Sequence, residues 1–449
     1  MAELLLQTPL TTQQPDLESG QNTSQQHHGD GDGDGDGDLT TDAELDQCLQ
    51  KLETFLCLLG FCQTSVFRIV VSWSAFAVVG VFVPIAALEV LLRSGRQQVI
   101  RFEVDILVSH ACVSAVSLLC VSHNLRKYGL RRFLFVDQYH GHRDKFMKNY
   151  IEKIKGFFCL FFYWVSPCFL SKVAIEIFRV LYTWHESWWR LILVCLALVV
   201  SWSYLIMISL SASVLFNLVC NLQVIHFDDY GKLLEIDSEI SEYMKEHIRL
   251  RHYLSKISHR FRIYLLLEFI FVTASQIVIL LQTIGHQGIA SFINGVDFVV
   301  TSIIQVGGVI LCLHAAVKIS HRALAIVSVA STWHASVSCN CNDASQLSVS
   351  SSMGNFEAAA NAVGSLSVCN SESDLDSLDA MNIPTYARVT SYMSTFHKRQ
   401  AFVMYLQSNP GGITIFGWAV NRTLIDTIFC AELSLVLFVL GKTLVFGTN

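Results

Sequence analysis

The sequence predicts an all-α, multi-pass membrane protein with seven transmembrane helices. Hydrophobic residues make up 52% of its 449 residues, whereas charged residues make up only 15%. Soluble domains usually contain about 25% charged residues. Seven apolar runs are long enough to cross a hydrocarbon core of about 30 Å as helices. This composition argues against a soluble enzyme and against a nucleic-acid-binding protein.

The predicted spans follow the apolar runs in chain order. They cover Val66–Leu92, Val104–Val121, Phe157–Leu181, Leu191–Leu222, Phe261–Ile284, Val296–Ile319 and Arg422–Val445. Most cysteines lie in or beside these runs, where a thiol serves as a small packing residue. The pair Cys339-Asn-Cys341 has no second pair at zinc-finger spacing, so neither a metal nor a cofactor is expected.

The distribution of Lys and Arg predicts how these spans are oriented. The second, fourth and sixth connections hold nine, seven and four of them, whereas the first, third and fifth hold three, one and none. Positive charge stays on the cytoplasmic side of membrane proteins. We therefore expect the amino terminus inside and the carboxyl terminus outside. The plasma membrane is the expected location, and an internal membrane is the alternative.

Composition divides the chain into four regions. Residues 1–46 contain a Gly-Asp repeat and are expected to be a disordered acidic tail, with weak cation binding as the other interpretation. Residues 47–322 hold six spans with cytoplasmic helical extensions. Residues 323–384 lack Lys and Arg, are rich in serine, and are expected to be a disordered cytoplasmic loop, either regulatory or a passive linker. Residues 385–449 are expected to form a cytoplasmic helix, Tyr386–Gln407, and then the seventh span.

An apolar stripe with heptad spacing precedes the fifth span. Its positions alternate in steps of three and four from Leu233 to Phe261, which predicts a helix that continues from the span into the cytoplasm. So narrow a stripe needs a partner, either within the subunit or across an oligomer. His247 is expected to be a packed or register-setting histidine, with metal ligation as the alternative. The candidate oligomerisation residues are Ile240, His247, Leu250 and Leu254.

Polar residues inside the spans are the remaining candidates for function, because no enzyme motif and hence no catalytic residue is found. Such residues are costly in lipid and usually face protein or water. Lys172, Glu176 and Arg179 share one helix face of the third span. A small-molecule pocket and hydrogen bonding between packed helices both fit the pattern. The candidate pocket residues are Asp105, His110, Glu176, Arg179, Asp297, Thr301 and Gln305.

The last span carries a stripe of mostly small or mildly polar residues. Such a stripe either packs tightly against another helix or lines a narrow aqueous path. Asp426 and Glu432 add acidic groups to the same span. The candidate pore-lining residues are Thr427, Cys430, Ser434, Leu437, Gly441 and Lys442.

The segment Asn409–Leu444, which begins Asn409-Pro-Gly-Gly, resembles the carboxyl end of plant gustatory-receptor-like proteins. That membrane family is distantly similar to insect odorant and gustatory receptors. The resemblance extends from about Gln47 to the end of the sequence, apart from the serine-rich loop. It implies a tetramer assembled by cytoplasmic helices, a pore formed by the last helix, and a small-molecule pocket in the outer half of the bundle.

The expected function is therefore that of a ligand-gated, cation-conducting channel subunit opened by a small molecule. Its expected partners are the lipid bilayer, further copies of the same chain, a small-molecule ligand and permeant ions, without nucleic acid. The alternative is a non-conducting receptor or scaffold that acts through its cytoplasmic loops. A transporter is disfavoured because the sequence has no internal repeat and no paired broken helices.

Overall fold

A computed structural model describes residues 35–93, 97–134, 143–182, 188–234, 239–284, 289–341, 395–409 and 411–447. Within these ranges the chain is helical apart from one small hairpin and short connecting turns, of which 59–65 is the longest at the amino-terminal end. The helices are α1 Gly35–Leu58, α2 Val66–Ala75, α3 Val83–Arg93, α4 Gln97–Tyr128, α5 Leu130–Phe133, α6 Arg143–Tyr182, α7 Trp188–Leu233, α8 Ile240–Ile284, α9 Ile289–Cys341, α10 Thr395–Ser408 and α11 Arg422–Gly447. A π-helical segment, Phe76–Phe82, joins α2 to α3, and the hairpin consists of β1 Thr414–Ile415 and β2 Trp418–Ala419.

Six helical stretches of the described residues are long and apolar enough to cross a membrane. They are Val66–Val90, Glu103–Tyr128, Met147–Arg179, Leu191–Leu233, Ile240–Val278 and Val296–Val337. These stretches overlap the first six predicted spans in order, and they indicate an integral multi-pass membrane protein. The seventh predicted span forms the continuous helix α11. That α11 crosses the membrane, and that the amino terminus is cytoplasmic, stay predictions.

The first span contains a widened turn because Pro84 lies at its centre. Proline has no amide hydrogen, so the carbonyl one turn before it loses its helical partner, and the backbone relaxes into a π-helical segment. The Val83 amide accordingly donates to the Val78 carbonyl, five residues back. Gly80 brings this segment close to α7, because a Cβ at that position would lie 2.8 Å from the Leu205 side chain. The first span therefore packs tightly on the fourth.

One large hydrophobic core and smaller satellite clusters fill the bundle, and α7 contributes to each of them. Leu205, Leu215 and Phe216 of α7 are fully buried. Many large apolar side chains on the outside of the chain are instead exposed, among them Phe162 on α6 and Leu193 on α7. A contiguous exposed apolar surface of this kind is unfavourable in water. It fits a bundle whose outer surface faces lipid.

The heptad stripe before the fifth span is buried inside the single chain. Tyr243, His247, Leu250 and Leu254 are each at most 2% exposed. The Tyr243 ring packs against Trp333 of α9 and Phe402 of α10, and the His247 ring packs against Tyr230 of α7 and Tyr405 of α10; the centroid distances are 5.5 to 6.3 Å.

This burial corrects the assignment of His247, Leu250 and Leu254 to an oligomer interface. The apolar stripe finds its partners in helices of the same subunit, which is the within-subunit alternative of the sequence prediction. Ile240, at the start of α8, is only partly buried. It stays a candidate for contact between subunits.

Helix α9 continues well beyond Ile319, the predicted end of the sixth span. Ala323, Ile326 and Ala330 recur at helical spacing and are buried. The predicted disordered loop therefore cannot begin at residue 323, because small apolar residues keep the chain packed as far as Ala330 and the helix continues to Cys341. The rest of that loop, 342–384, lies outside the described residues.

The acidic tail also ends earlier than predicted, because α1 begins at Gly35. Leu45 is buried against the bundle. Glu44 accepts a hydrogen bond from Lys155 at 2.8 Å, and Asp46 pairs with Arg131. Residues 35–46 therefore belong to a packed helix, and the remainder of the predicted tail lies outside the described residues.

A two-residue turn connects the two strands that lead into α11. Phe416 and Gly417 both have positive φ angles, 49° and 88°, as a type I′ hairpin turn requires. The Ile413 amide donates to Ser320 Oγ of α9 at 3.1 Å. The Thr414 amide donates to Ser258 Oγ of α8 at 3.3 Å. The start of α11 is thus attached to two different helices.

Candidate functional site

Five charged side chains meet where α4, α6 and α9 pack together. Lys172, Glu176 and Arg179 come from one face of α6, as predicted, while Glu103 comes from α4 and Asp297 from α9. Lys172 Nζ donates to both carboxylate oxygens of Asp297 at 2.8 and 2.7 Å and lies 3.0 Å from Glu176 Oε1. All five residues are buried. We call this group the charged cluster.

Arg179 connects all three acids of the charged cluster. Its Nη1 donates to the two oxygens of Glu176 at 3.0 and 3.1 Å and pairs with Glu103. Its Nη2 lies 3.7 Å from Asp297. Buried charges are tolerated only when they are paired. Three acids thus face two basic groups, and their pairing fixes three helices relative to each other.

The acids of the charged cluster have the donor chemistry of a metal site. Carboxylate oxygens of Glu103, Glu176 and Asp297 all lie within 4.8 Å of one another. However, Lys172 and Arg179 already donate to the same oxygens. Ion pairing within the protein therefore satisfies this group of acids.

A second polar network adjoins the charged cluster. Gln305 Nε2 donates to Ser109 Oγ at 3.1 Å and lies 3.5 Å from His110 Nδ1. Ser275 Oγ of α8 donates to Gln305 Oε1 at 3.4 Å. Thr301 is buried, and its hydroxyl has no hydrogen-bond partner among the described residues. Three helices, α4, α8 and α9, thus contribute to this network, which we call the polar region.

A small cavity lies between this polar region and α7. Its volume is about 40 Å³, and its polar lining residues are Glu103, His110, Lys172, Ser201, Trp202 and Asp297. At ~10–15 Å³ per water, it has room for about three water molecules. Among the described residues, His110 Nε2, Ser201 Oγ and Trp202 Nε1 have no hydrogen-bond partner. The lining residues therefore have unused hydrogen-bonding atoms.

The structure brings most of the candidate pocket residues together, and that they bind a small molecule stays a prediction. Glu176, Arg179 and Asp297 come together in the charged cluster, and His110 and Gln305 come together beside it. Asp105 is only partly buried, and Glu103 rather than Asp105 pairs with Arg179. Helical spacing indicates that Glu103 belongs to the site. It precedes His110 by seven residues and so lies on the same face of α4, whereas Asp105 does not.

Helix α11 packs against the bundle by one face only. Glu432 and Val436 are buried, and Glu432 Oε1 accepts a hydrogen bond from Thr273 Oγ1 of α8 at 2.7 Å. At ~100° per residue, the predicted stripe lies on the opposite side of the helix. Its members Thr427, Cys430, Ser434, Leu437 and Gly441 are all exposed in the single chain.

Among the described residues, the hydroxyls of this stripe bond within their own helix. Thr427 Oγ1 donates to the Thr423 carbonyl at 2.7 Å, and Ser434 Oγ donates to the Cys430 carbonyl at 2.6 Å. Glu432 faces the bundle and therefore does not belong to the stripe. Lys442 lies in α11, but its side chain is outside the described residues.

A family model described as "Protein of unknown function (DUF3537)" matches residues 47–431. The chain belongs to this family. No curated protein matches it. The match ends within α11 and includes all six candidate membrane-spanning stretches.

Two solved structures share the fold of this DUF3537 protein. Both are of the olfactory receptor OR5 from the insect Machilis hrabei, one of them in complex with eugenol. Sequence identity is 12% and 14%, and the TM-scores are 0.51 and 0.53. Each alignment covers 88% of this chain and 98% of the receptor. The likeness establishes that the DUF3537 chain has an insect olfactory receptor fold.

Proposed function

We propose that this protein is a subunit of a tetrameric, ligand-gated cation channel whose pore is formed by four copies of α11. The exposed stripe on α11 carries the proposal. Small and polar residues in a membrane helix pack against a partner or line water. The subunit's own helices contact the opposite face, around Glu432 and Val436. Other copies of α11, with water between them, are the partners that suit the stripe.

In this arrangement Leu437 forms an apolar constriction and Ser434 a weakly polar ring one turn away. A narrow apolar ring stops ions because it loses its water. Opening then requires the α11 helices to move apart. The predicted orientation puts Lys442 nearer the outer mouth of the pore than Leu437.

The proposed ligand site is the polar region beside the charged cluster, in the half of the bundle that is predicted to be outer. A solved receptor with this fold binds eugenol, which supports a small molecule as the ligand. Helix α9 supplies Asp297 to the charged cluster and Ser320 to the base of α11. It therefore provides a direct connection between the ligand site and the pore.

Cysteine accessibility tests the pore. Native Cys430 is exposed, so the starting protein carries Cys430→Ser. Ser434→Cys, Leu437→Cys and Gly441→Cys are then made one at a time, and a charged thiol reagent is applied from outside during current recording. Phe429→Cys is the matched control, because Phe429 is 42% exposed but lies about 120° from the stripe on the helix.

We expect modification to change the current at the stripe positions and to leave it unchanged at Phe429. If no stripe position responds while surface expression is normal, the channel proposal fails. The non-conducting receptor or scaffold then takes its place.

A further inference from the structure

A second cavity lies between α6 and α7, far from the charged cluster. Its volume is about 160 Å³, which at ~10–15 Å³ each is room for about ten water molecules. Its α6 wall spans 153–160, so the cavity is at least ~18 Å along the helix from Lys172. Its lining consists of Lys153, Gly156, Phe157 and Leu160 of α6 and Val214, Asn217, Leu218 and Asn221 of α7.

Both walls of this cavity change from polar to apolar residues in the same direction. The helices run antiparallel, so Lys153 on α6 and Asn221 on α7 both lie toward the same boundary of the membrane. Leu160 and Val214 lie toward its interior. A cavity that is polar at the boundary and apolar further in matches the chemistry of a phospholipid, whose charged headgroup precedes its acyl chains.

Helix α9 adds positive charge at the polar end. Lys318 Nζ donates to Asn221 Oδ1 at 2.7 Å, and Asn221 Nδ2 donates to Asn217 Oδ1 at 2.9 Å. Lys318 thus bonds to a neutral amide oxygen there. Lys153, Arg322 and the acidic Asp228 also lie within its electrostatic reach.

Acidic groups nearby neutralise this charge only in part. Arg322 pairs with Asp228 at 3.4 Å, whereas Lys153 lies 3.9 Å from Glu152, the next residue on its own helix. Two lysines therefore bring positive charge to one end of the cavity, because Lys153 lines it and Lys318 is bonded to Asn221 of its wall.

The cavity is open on its α6 side at Gly156. A Cβ built on this residue would meet no atom within 4 Å. The gap between the helices is therefore not closed by a neighbouring side chain at this position, and a larger side chain there has space to enter the cavity.

We propose that this cavity binds the phosphate-bearing headgroup of an anionic lipid. Basic pockets between transmembrane helices are recognised sites for phosphorylated lipid headgroups. The two lysines pair with the phosphate, the Asn217 amide donates to its oxygens, and the apolar end accommodates the start of the acyl chains. A free phosphate ion gains nothing from Leu160 and Val214, which favours the lipid. The predicted orientation places the site in the cytoplasmic leaflet, and the site does not depend on conduction.

Native mass spectrometry of the purified full-length protein in detergent tests this site. Phosphatidylinositol 4-phosphate, phosphatidylcholine and soluble inositol phosphate are titrated separately, and the bound molecules are counted. At about 1 kcal/mol per lysine, Lys153→Gln or Lys318→Gln should each weaken binding of the anionic lipid about five-fold, and the double variant about thirty-fold.

Two further variants separate the cavity from the general surface. Lys148→Gln removes the same charge from an exposed position on α6 that does not line the cavity, and it should leave binding unchanged. Gly156→Leu fills the cavity without altering charge and should abolish binding. The unfolding temperature of this variant is measured to show that it is folded.

Four results would overturn the proposal. They are an equal loss in Lys148→Gln, equal binding of phosphatidylcholine, unaltered binding in folded Gly156→Leu, and an affinity for soluble inositol phosphate equal to that for the lipid. The last result would identify a soluble anion as the ligand.

Discussion

The charged cluster and the α11 stripe are both polar regions within apolar helices, yet they differ in where their partners lie. Lys172, Asp297 and Arg179 find opposite charges on other helices of the same chain. Ser434 and Thr427 bond only to their own helix and are exposed. Polar residues of the first kind hold the subunit together. Those of the second kind are available to other subunits and to water.

The largest expected effect follows from breaking the charged cluster. Lys172→Met leaves Asp297 buried without its nearest cation and Glu176 paired with Arg179 alone, and removing one partner of a buried ion pair costs about 3–5 kcal/mol. Thermal unfolding of the purified protein measures the loss. Lys148→Met, an exposed change on the same helix, is the control, and equal stability of both variants would refute a structural role for the cluster.

The heptad stripe of α8 provides the next test, because it resembles the charged cluster in having its partners inside the chain. Leu254→Ala should destabilise the subunit by about 2–5 kcal/mol, as expected for a buried leucine. Ile263→Ala, at an exposed position of the same helix, should cost far less. Chemical denaturation and size-exclusion chromatography distinguish unfolding from dissociation. A Leu254→Ala protein that dissociates with unchanged subunit stability would restore the stripe as an assembly surface.

A change in the α11 stripe should alter conduction and leave the free energy of unfolding almost unchanged. Leu437→Ser removes the apolar constriction, and lowering a barrier by about 1.4 kcal/mol raises a rate on the order of ten-fold. Current without ligand, recorded in reconstituted bilayers, should therefore increase. Phe429→Ser serves as the control at an exposed position outside the stripe. An equal increase in both variants would show that the stripe has no special exposure to the pore.

The smallest expected effect is that of Ser434→Ala. The hydroxyl of Ser434 bonds only to the carbonyl of its own helix, so the free energy of unfolding should change by less than about 0.5 kcal/mol. Thermal unfolding measures it. A loss of unfolding free energy above about 1 kcal/mol would mean that Ser434 packs against a partner in the folded assembly. Ser434 would then resemble Lys172 in stabilising the protein.

Local spacing predicted the face shared by Lys172, Glu176 and Arg179, and run length predicted the first six spans. Partners distant in sequence could not be predicted in this way. The heptad stripe meets α10 and the extended end of α9, and nothing within its own segment indicates that these helices cover it. Trp202 and Ser201 reach the small cavity from the middle of a uniformly apolar run, where hydropathy gives no signal. Glu103 was detectable from its seven-residue spacing to His110.

The hairpin before α11 has a mechanical consequence. A helix that is bonded to the rest of the protein at one point can rotate about that point. Bonds at two points restrict this rotation and transmit movement to the helix. The bonds of Ile413 to Ser320 and of Thr414 to Ser258 join the base of α11 to both α9 and α8. Sliding of α8 past α9 would therefore strain these two bonds, and the hairpin would carry the movement to the start of α11.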